Sequence, residues 1–220
     1  MIFKFTKSDM LNSSLIYPET GALGYTIMTR SHFIRAGDSD SDSESDDDAG
    51  ETRRTIIFNK AGVSVAEIGW KGRQPVEVVV GKEKIVGGVK GMFGCSSAIL
   101  SHNVLGINTR FDSEYFWMAA PDALTLLDYE SDRIKGQFHI NSLRVGDRFL
   151  ATPIPGLGND YIEFEPHPFA STEELIVSFL LMEILRRGRF NLSPYVFDRP
   201  KIWAGAHFAN LSRRLRRSTL

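Results

Sequence analysis

A single cysteine in 220 residues, Cys95, excludes an internal disulfide and a cysteine-built zinc site. The five histidines (His32, His102, His139, His167 and His207) include no pair at metal-ligand spacing such as HExxH, so no metal is expected. The glycine-rich stretch from Gly81 to Gly94 contains neither a GxxxxGK run before Ser or Thr nor a GxGxxG between strand and helix. It reads as a loop, and no cofactor is expected. The opening MIFKFTKSDM lacks a long apolar run behind a basic flank. No secretory signal is expected, and the matches to the glycosylation pattern at Asn12, Asn191 and Asn210 are expected to be idle. Together with the lone cysteine this points to a cytoplasmic protein, with the membrane periphery and the nucleus as further addresses.

Catalytic arrangements are equally thin. Cys95 with His102 would make a thiol and its base only with a third group to orient them. A lone cysteine among small residues is more simply a small buried hydrophobe. Glu163 and Glu165 fall on one face of a strand, where two rim carboxylates do not make a hydrolase. The chain is read as having no catalytic residues.

What is present is one apolar rod. In STEELIVSFLLMEILRRG, Ser171 and Glu174 have the spacing of a capping box, and Glu173 and Glu174 suit the positive end of a helix. Arg186 and Arg187 fall in the last turn and Gly188 supplies the stop. Between them only Ser178 and Glu183 are polar, so the helix is apolar on every side and must be enclosed. Its core is well short of the ~20 residues that cross a bilayer, so no transmembrane segment is expected and the enclosure is the protein's own. Glu183 either pairs with an arginine such as Arg187 at spacing four or, if buried alone, marks a candidate pocket.

Most of the chain before this helix reads as strands. The segments 2–5, 13–17, 22–30, 54–59, 63–70, 76–80, 98–105, 106–111, 114–118, 124–129, 133–140, 149–154 and 161–164 carry β-branched and aromatic residues between turn signals. A weak strand at 84–86 is the most that the glycine-rich stretch offers. Imperfect alternation of Val63, Val65, Ile68 and Trp70 marks a bulge. The expectation is a mainly β fold: a roughly twelve-stranded closed or nearly closed β-barrel around a central hydrophobic helix at 171–187, spanning residues 1–188.

Charge is unevenly distributed. Residues 38–48 hold seven acids and no base, so a net charge of −1 hides a remainder of +6. With no apolar residue to offset the entropy of ordering, 37–52 is expected to be a disordered acidic insert. Its Ser39, Ser41, Ser43 and Ser45 each precede an acid by three residues, a pattern that suits acidophilic kinases. The insert is equally readable as a solvated spacer, or as a polyanion competing for the basic tail. That tail, 189–220, is expected to be helical from about Pro200, with Trp203, His207, Leu211 and Leu215 at spacing four and Arg213, Arg214, Arg216 and Arg217 crowding its end. A membrane-surface helix, an import signal and a packed structural helix all fit it. Nucleic acid is not the expected partner, because four arginines make a small footprint.

The order of features (YPETGALGYTI, AEIGW, EYFWM, LTLLDYESDRIKGQF, then the late helix) resembles an uncharacterised fungal domain family thought to share the fold of tubby C-terminal domains, LURP-one proteins and phospholipid scramblases. The resemblance implies a barrel threaded by a hydrophobic helix and, as in tubby domains, binding of phosphoinositide headgroups by basic surface residues. The first expectation is therefore a non-catalytic module that binds anionic phospholipid through Arg186, Arg187, Arg189, Arg213, Arg214, Arg216 and Arg217. The alternatives are a protein-interaction scaffold regulated by phosphorylation of the acidic insert, and a small-molecule carrier or enzyme with a pocket beside the helix.

Overall fold

The computed structural model describes residues 1–32, 52–101 and 104–192; the side chains of His32, Thr52 and 94–101 are outside that description. In chain order the first strands are β1 (Ile2–Phe5), β2 (Ser14–Ile16), β3 (Leu23–His32), β4 (Thr52–Asn59), β5 (Ser64–Lys71), β6 (Gln74–Val80) and β7 (Glu83–Lys84). A four-residue helix, α1 (Val89–Met92), precedes β8 (Phe93–Ser101), β9 (Val104–Thr109), β10 (Tyr115–Ala119), β11 (Leu124–Asp128), β12 (Arg133–Val145), β13 (Arg148–Ala151) and β14 (Asn159–Phe164). The long helix α2 (Thr172–Arg189) follows.

Two arms diverge from the place where the first and last strands meet. β1 pairs antiparallel with β14, Phe3 opposite Ile162. From β1 the sheet runs in chain order to β7, and from β14 it runs back through β12, β11, β10 and β9 to β8. Alternation decides which residues face inward. Phe3 and Phe5 on β1, Ala66, Ile68 and Trp70 on β5, and Trp117 and Ala119 on β10 are all buried in one core. The bulge expected in β5 is there, as a register shift against β6 between Gly69 and Trp70.

The sheet ends at β7 and β8, which are not hydrogen-bonded to each other. The mainly β expectation holds as one large antiparallel sheet around a single long helix, and that sheet is not closed between β7 and β8. The reason is local: β7 is only two residues long, and the chain then leaves the ladder through Gly87 and Gly88, both at positive φ. Gly88 lies so close to β6 that a Cβ there would be 2.3 Å from the Val76 carbonyl oxygen. Side chains hold the seam instead. Arg110 donates through Nη1 and Nη2 to Glu83 at 2.9 and 3.1 Å, and through Nε to Glu174 at 2.6 Å. Ile85, Met92 and Phe93 complete the core beneath.

Helix α2 begins where the capping residues place it. Ser171 Oγ accepts the Glu174 N–H at 3.1 Å, while the Glu174 carboxylate turns to Arg110. Leu175 to Val177 and Phe179 to Met182 are at most 1 % exposed. The helix touches β5 and β6 from one arm and β10 and β11 from the other, so the sheet curls around it. Burial of this apolar side chain set is the dominant stabilising contribution. The rod's mid-helix polar residue is explained too: Ser178 Oγ accepts from Trp117 Nε1 at 2.6 Å, both fully buried.

Gly188 does not end the helix. It is helical, the helix continues to Arg189, and Asn191 takes the left-handed conformation (φ 51°), while the Phe190 N–H closes on the Arg186 carbonyl. A Cβ at Gly188 would meet nothing within 4 Å. Gly188→Ala is therefore expected to stabilise the protein by about 0.5–1 kcal/mol, read as a raised urea midpoint at unchanged slope.

The sequence pattern ends this strand at residue 140, but β12 continues to Val145. Asn141 (φ 43°) turns the chain, and β12 with β13 folds back over the outer face of β14. Phe149 stacks on His139 at 3.8 Å and packs on Tyr161 at 5.1 Å, which closes that outer layer.

Candidate functional site

The end of the molecule at which α2 finishes brings the chemistry together. Glu183 and Arg186 lie one turn apart on the helix and both are buried, at 0 % and 2 % exposure. Arg186 Nε and Nη2 donate to the two Glu183 oxygens at 2.5 and 2.9 Å, and Arg187 Nε donates to Oε1 at 2.8 Å. Arg186 Nη1 also donates to the Ala120 and Pro121 carbonyls at 3.2 and 2.6 Å. This charge-assisted cluster welds the last turns of α2 to the β10–β11 turn.

One sequence expectation changes as a result. Arg186 is not a surface cation, because its guanidinium is enclosed by a carboxylate and two carbonyls. Of the two readings of Glu183, pairing with Arg187 is the one observed, and Arg186 is a further partner. Arg187 is partly exposed and Arg189 is exposed. Arg213, Arg214, Arg216 and Arg217 lie outside the described residues, as do Ser39, Ser41, Ser43 and Ser45. Of the acidic insert expected at 37–52, Thr52 opens β4 and the rest is outside the description.

Beside this end lies a hollow of about 530 Å³. The turn after β1, with Thr6, Lys7 and Ser8, forms one wall; Asn141, Pro155 and Asp160 contribute to the other. Asn141 organises its wall. Its Oδ1 accepts from the Gly156 and Gly158 N–H groups at 3.2 and 2.9 Å, and its Nδ2 donates to the Thr152 and Ile154 carbonyls at 2.9 and 2.7 Å. A Cβ at Gly158 would be 2.3 Å from the Asn141 carbonyl carbon, so glycine alone allows the approach. The Asn141 N–H in turn donates to Asp160 Oδ1 at 2.8 Å. Burial pushes the Asp160 carboxyl above the usual carboxylate range; that hydrogen bond and the charge of Arg187 oppose the shift, and Glu183 adds to it. Sequence reasoning missed this site. Its only local signal is the Pro155-Gly156 and Gly158-Asn159 punctuation, which says loop and nothing more.

The other candidates are accounted for structurally. Gly91 sits where a Cβ would be 1.9 Å from the Val86 carbonyl oxygen, so the glycines serve close backbone packing. Glu163 approaches His139 at 3.3 Å, whereas Glu165 binds Lys135 at 2.8 Å, so the two acids face different partners. Burial holds His139 below the usual histidine range against the opposing pull of Glu163. His167 has both ring nitrogens engaged, by Asp112 at 3.2 Å and by the Phe169 N–H at 3.1 Å. The backbone of Cys95 lies in β8, its side chain is outside the description, and so are His102 and His207. Among the described residues no cluster of three or more His, Cys, Asp or Glu is placed to hold a metal, and no helix is long and apolar enough to cross a membrane.

Comparison with family models, with curated proteins and with solved structures finds no match to this chain.

Proposed function

We propose that this protein is a non-catalytic module that docks on an anionic membrane surface, phosphoinositide-type headgroups included, with the Arg189 end of α2 facing the lipid. The carrying observation is a charge polarity along the helix axis. At the N-terminal end of α2 the turns flanking β10 and β11 gather Asp112, Glu114, Asp128 and Glu130. They are close enough that Glu130, then burial, then Asp112 push the Glu114 carboxyl up. At the other end stand Lys7, Arg186, Arg187 and Arg189, with Asp9, Asp122, Asp160 and the buried Glu183 as the acids there. Past Leu192 the chain adds six basic residues against one acid, among them Arg213, Arg214, Arg216 and Arg217. Ile154 and Leu157, on the loop bordering the hollow, are 60 % and 55 % exposed and suit the interfacial layer. We read the sheet curled around an apolar helix as a nearly closed barrel of the tubby and LURP-one class, broken at the β7–β8 seam.

Vesicle co-sedimentation tests this. Binding is expected to rise with the anionic fraction and to fall with salt. Arg189→Glu reverses one exposed charge. At about 1 kcal/mol per charge near the surface, it is expected to weaken binding roughly thirtyfold. Equal binding to neutral and anionic vesicles would overturn the proposal.

A further inference from the structure

The hollow beside the end of α2 has features that a general attraction to anionic lipid does not use. Its loop wall is preorganised: Asn141 is held at a left-handed φ of 43°, a conformation uncommon outside glycine, by its Nδ2 donating to the Thr152 carbonyl and its Oδ1 accepting from the Gly156 N–H. A wall already ordered before binding avoids the entropic cost of ordering it on a ligand. Volume is also sufficient, since about 530 Å³ falls in the range of small-molecule sites.

The lining has two charged groups of opposite sign. Asp160 belongs to the loop wall and Lys7 to the β1 wall, with the Ser8 hydroxyl beside Lys7. Ile140 and Pro155 give the same lining an apolar stretch. An anion alone would meet the Asp160 carboxylate, and a cation alone would meet Lys7. A short molecule carrying both charges satisfies both walls, with its carbon linker over the apolar stretch.

We propose that this hollow binds an aminoalkyl phosphate, the ammonium seated on Asp160 and the phosphate on Lys7 and Ser8. The same chemistry occurs in free phosphoethanolamine and in the headgroup of an ethanolamine phospholipid. Because the ligand can be electrically balanced, this site is separable from the docking of the basic end on anionic lipid.

The test is titration of the full chain with phosphoethanolamine, followed by calorimetry and by amide shifts. Saturable binding at millimolar concentration or below, with shifts at 6–8 and 156–160, is expected. Asp160→Asn keeps an acceptor for the Asn141 N–H and therefore the wall. It is expected to lower affinity at least tenfold. Lys7→Ala is expected to weaken phosphoethanolamine by a similar factor while leaving ethylamine unchanged, a split that a merely structural role would not produce. In parallel, neutral vesicles with and without ethanolamine phospholipid identify the source. Gain of vesicle binding that Asp160→Asn abolishes assigns the headgroup, whereas binding of the soluble probe alone assigns a free metabolite. Wild-type affinity in Asp160→Asn, or no response to either source, overturns the proposal, and neither result bears on salt-sensitive binding to anionic vesicles.

Discussion

Replacing Glu183 by alanine is expected to destabilise the protein by about 3–5 kcal/mol, the cost of leaving a buried charge without its partner. The substitution removes both Glu183 acceptors from Arg186, whose guanidinium is 2 % exposed, and among the described residues leaves it the Ala120 and Pro121 carbonyls. Carbonyl dipoles do not neutralise a full positive charge in a low-dielectric interior. Urea unfolding gives the measurement, as a fall in midpoint at constant slope. Removing both charges, as in Glu183→Leu with Arg186→Leu, is expected to recover much of the loss, because neither partner is then stranded. A loss below about 1 kcal/mol in Glu183→Ala would show that the pair is hydrated in solution.

Phe179→Ala should be comparably damaging, at about 3–5 kcal/mol, for an unrelated reason. The Phe179 ring is surrounded by Phe138 at 5.1 Å, Phe5 at 6.1 Å, Trp117 at 6.2 Å and Phe164 at 6.5 Å. These neighbours come from β12, β1, β10 and β14, so a cavity there touches strands on both sides of the β1–β14 junction. Close-packed surroundings relax only partly, which adds a cavity penalty to the lost burial. Val86→Ala, at a side chain 91 % exposed, is the control and should move stability by less than about 0.5 kcal/mol. If Phe179→Ala costs no more than Val86→Ala, the helix is not the pillar of the core.

Phe179 sits in a run whose enclosure follows from its own composition, since an all-apolar helix has no face to give to water. Glu183 was legible as a paired residue from its spacing to Arg187. Its stronger partnership with Arg186 was not, because Arg186 in isolation looks like any arginine in a final helical turn. Only the approach of the β10–β11 turn, more than sixty residues earlier in the chain, supplies the two carbonyls that make burial tolerable.

Strand positions were largely local information. Side-chain alternation and turn residues act over a few positions, so β1, β4, β5, β6, β10 and β11 fall within two residues of where the pattern puts them. The exceptions are instructive. β8 starts at Phe93 rather than near residue 98, because pairing with β9 overrides its glycine- and serine-rich composition. β12 outruns its pattern because Asn141 turns the corner with hydrogen bonds to a loop more than ten residues away.

What the sequence by itself determined, then, is the inventory: a capped, wholly apolar helix, the strands that must cover it, and the separation of acidic insert from basic end. These depend on short-range periodicity, capping and charge. The tertiary structure alone decided that the sheet stops at a seam latched by Arg110, that Arg186 turns inward while Arg189 stays outside, and that Lys7 and Asp160 line one hollow. Each of these rests on contacts between residues far apart in the chain, whose free energy depends on burial and geometry that exist only once the sheet has curled around α2.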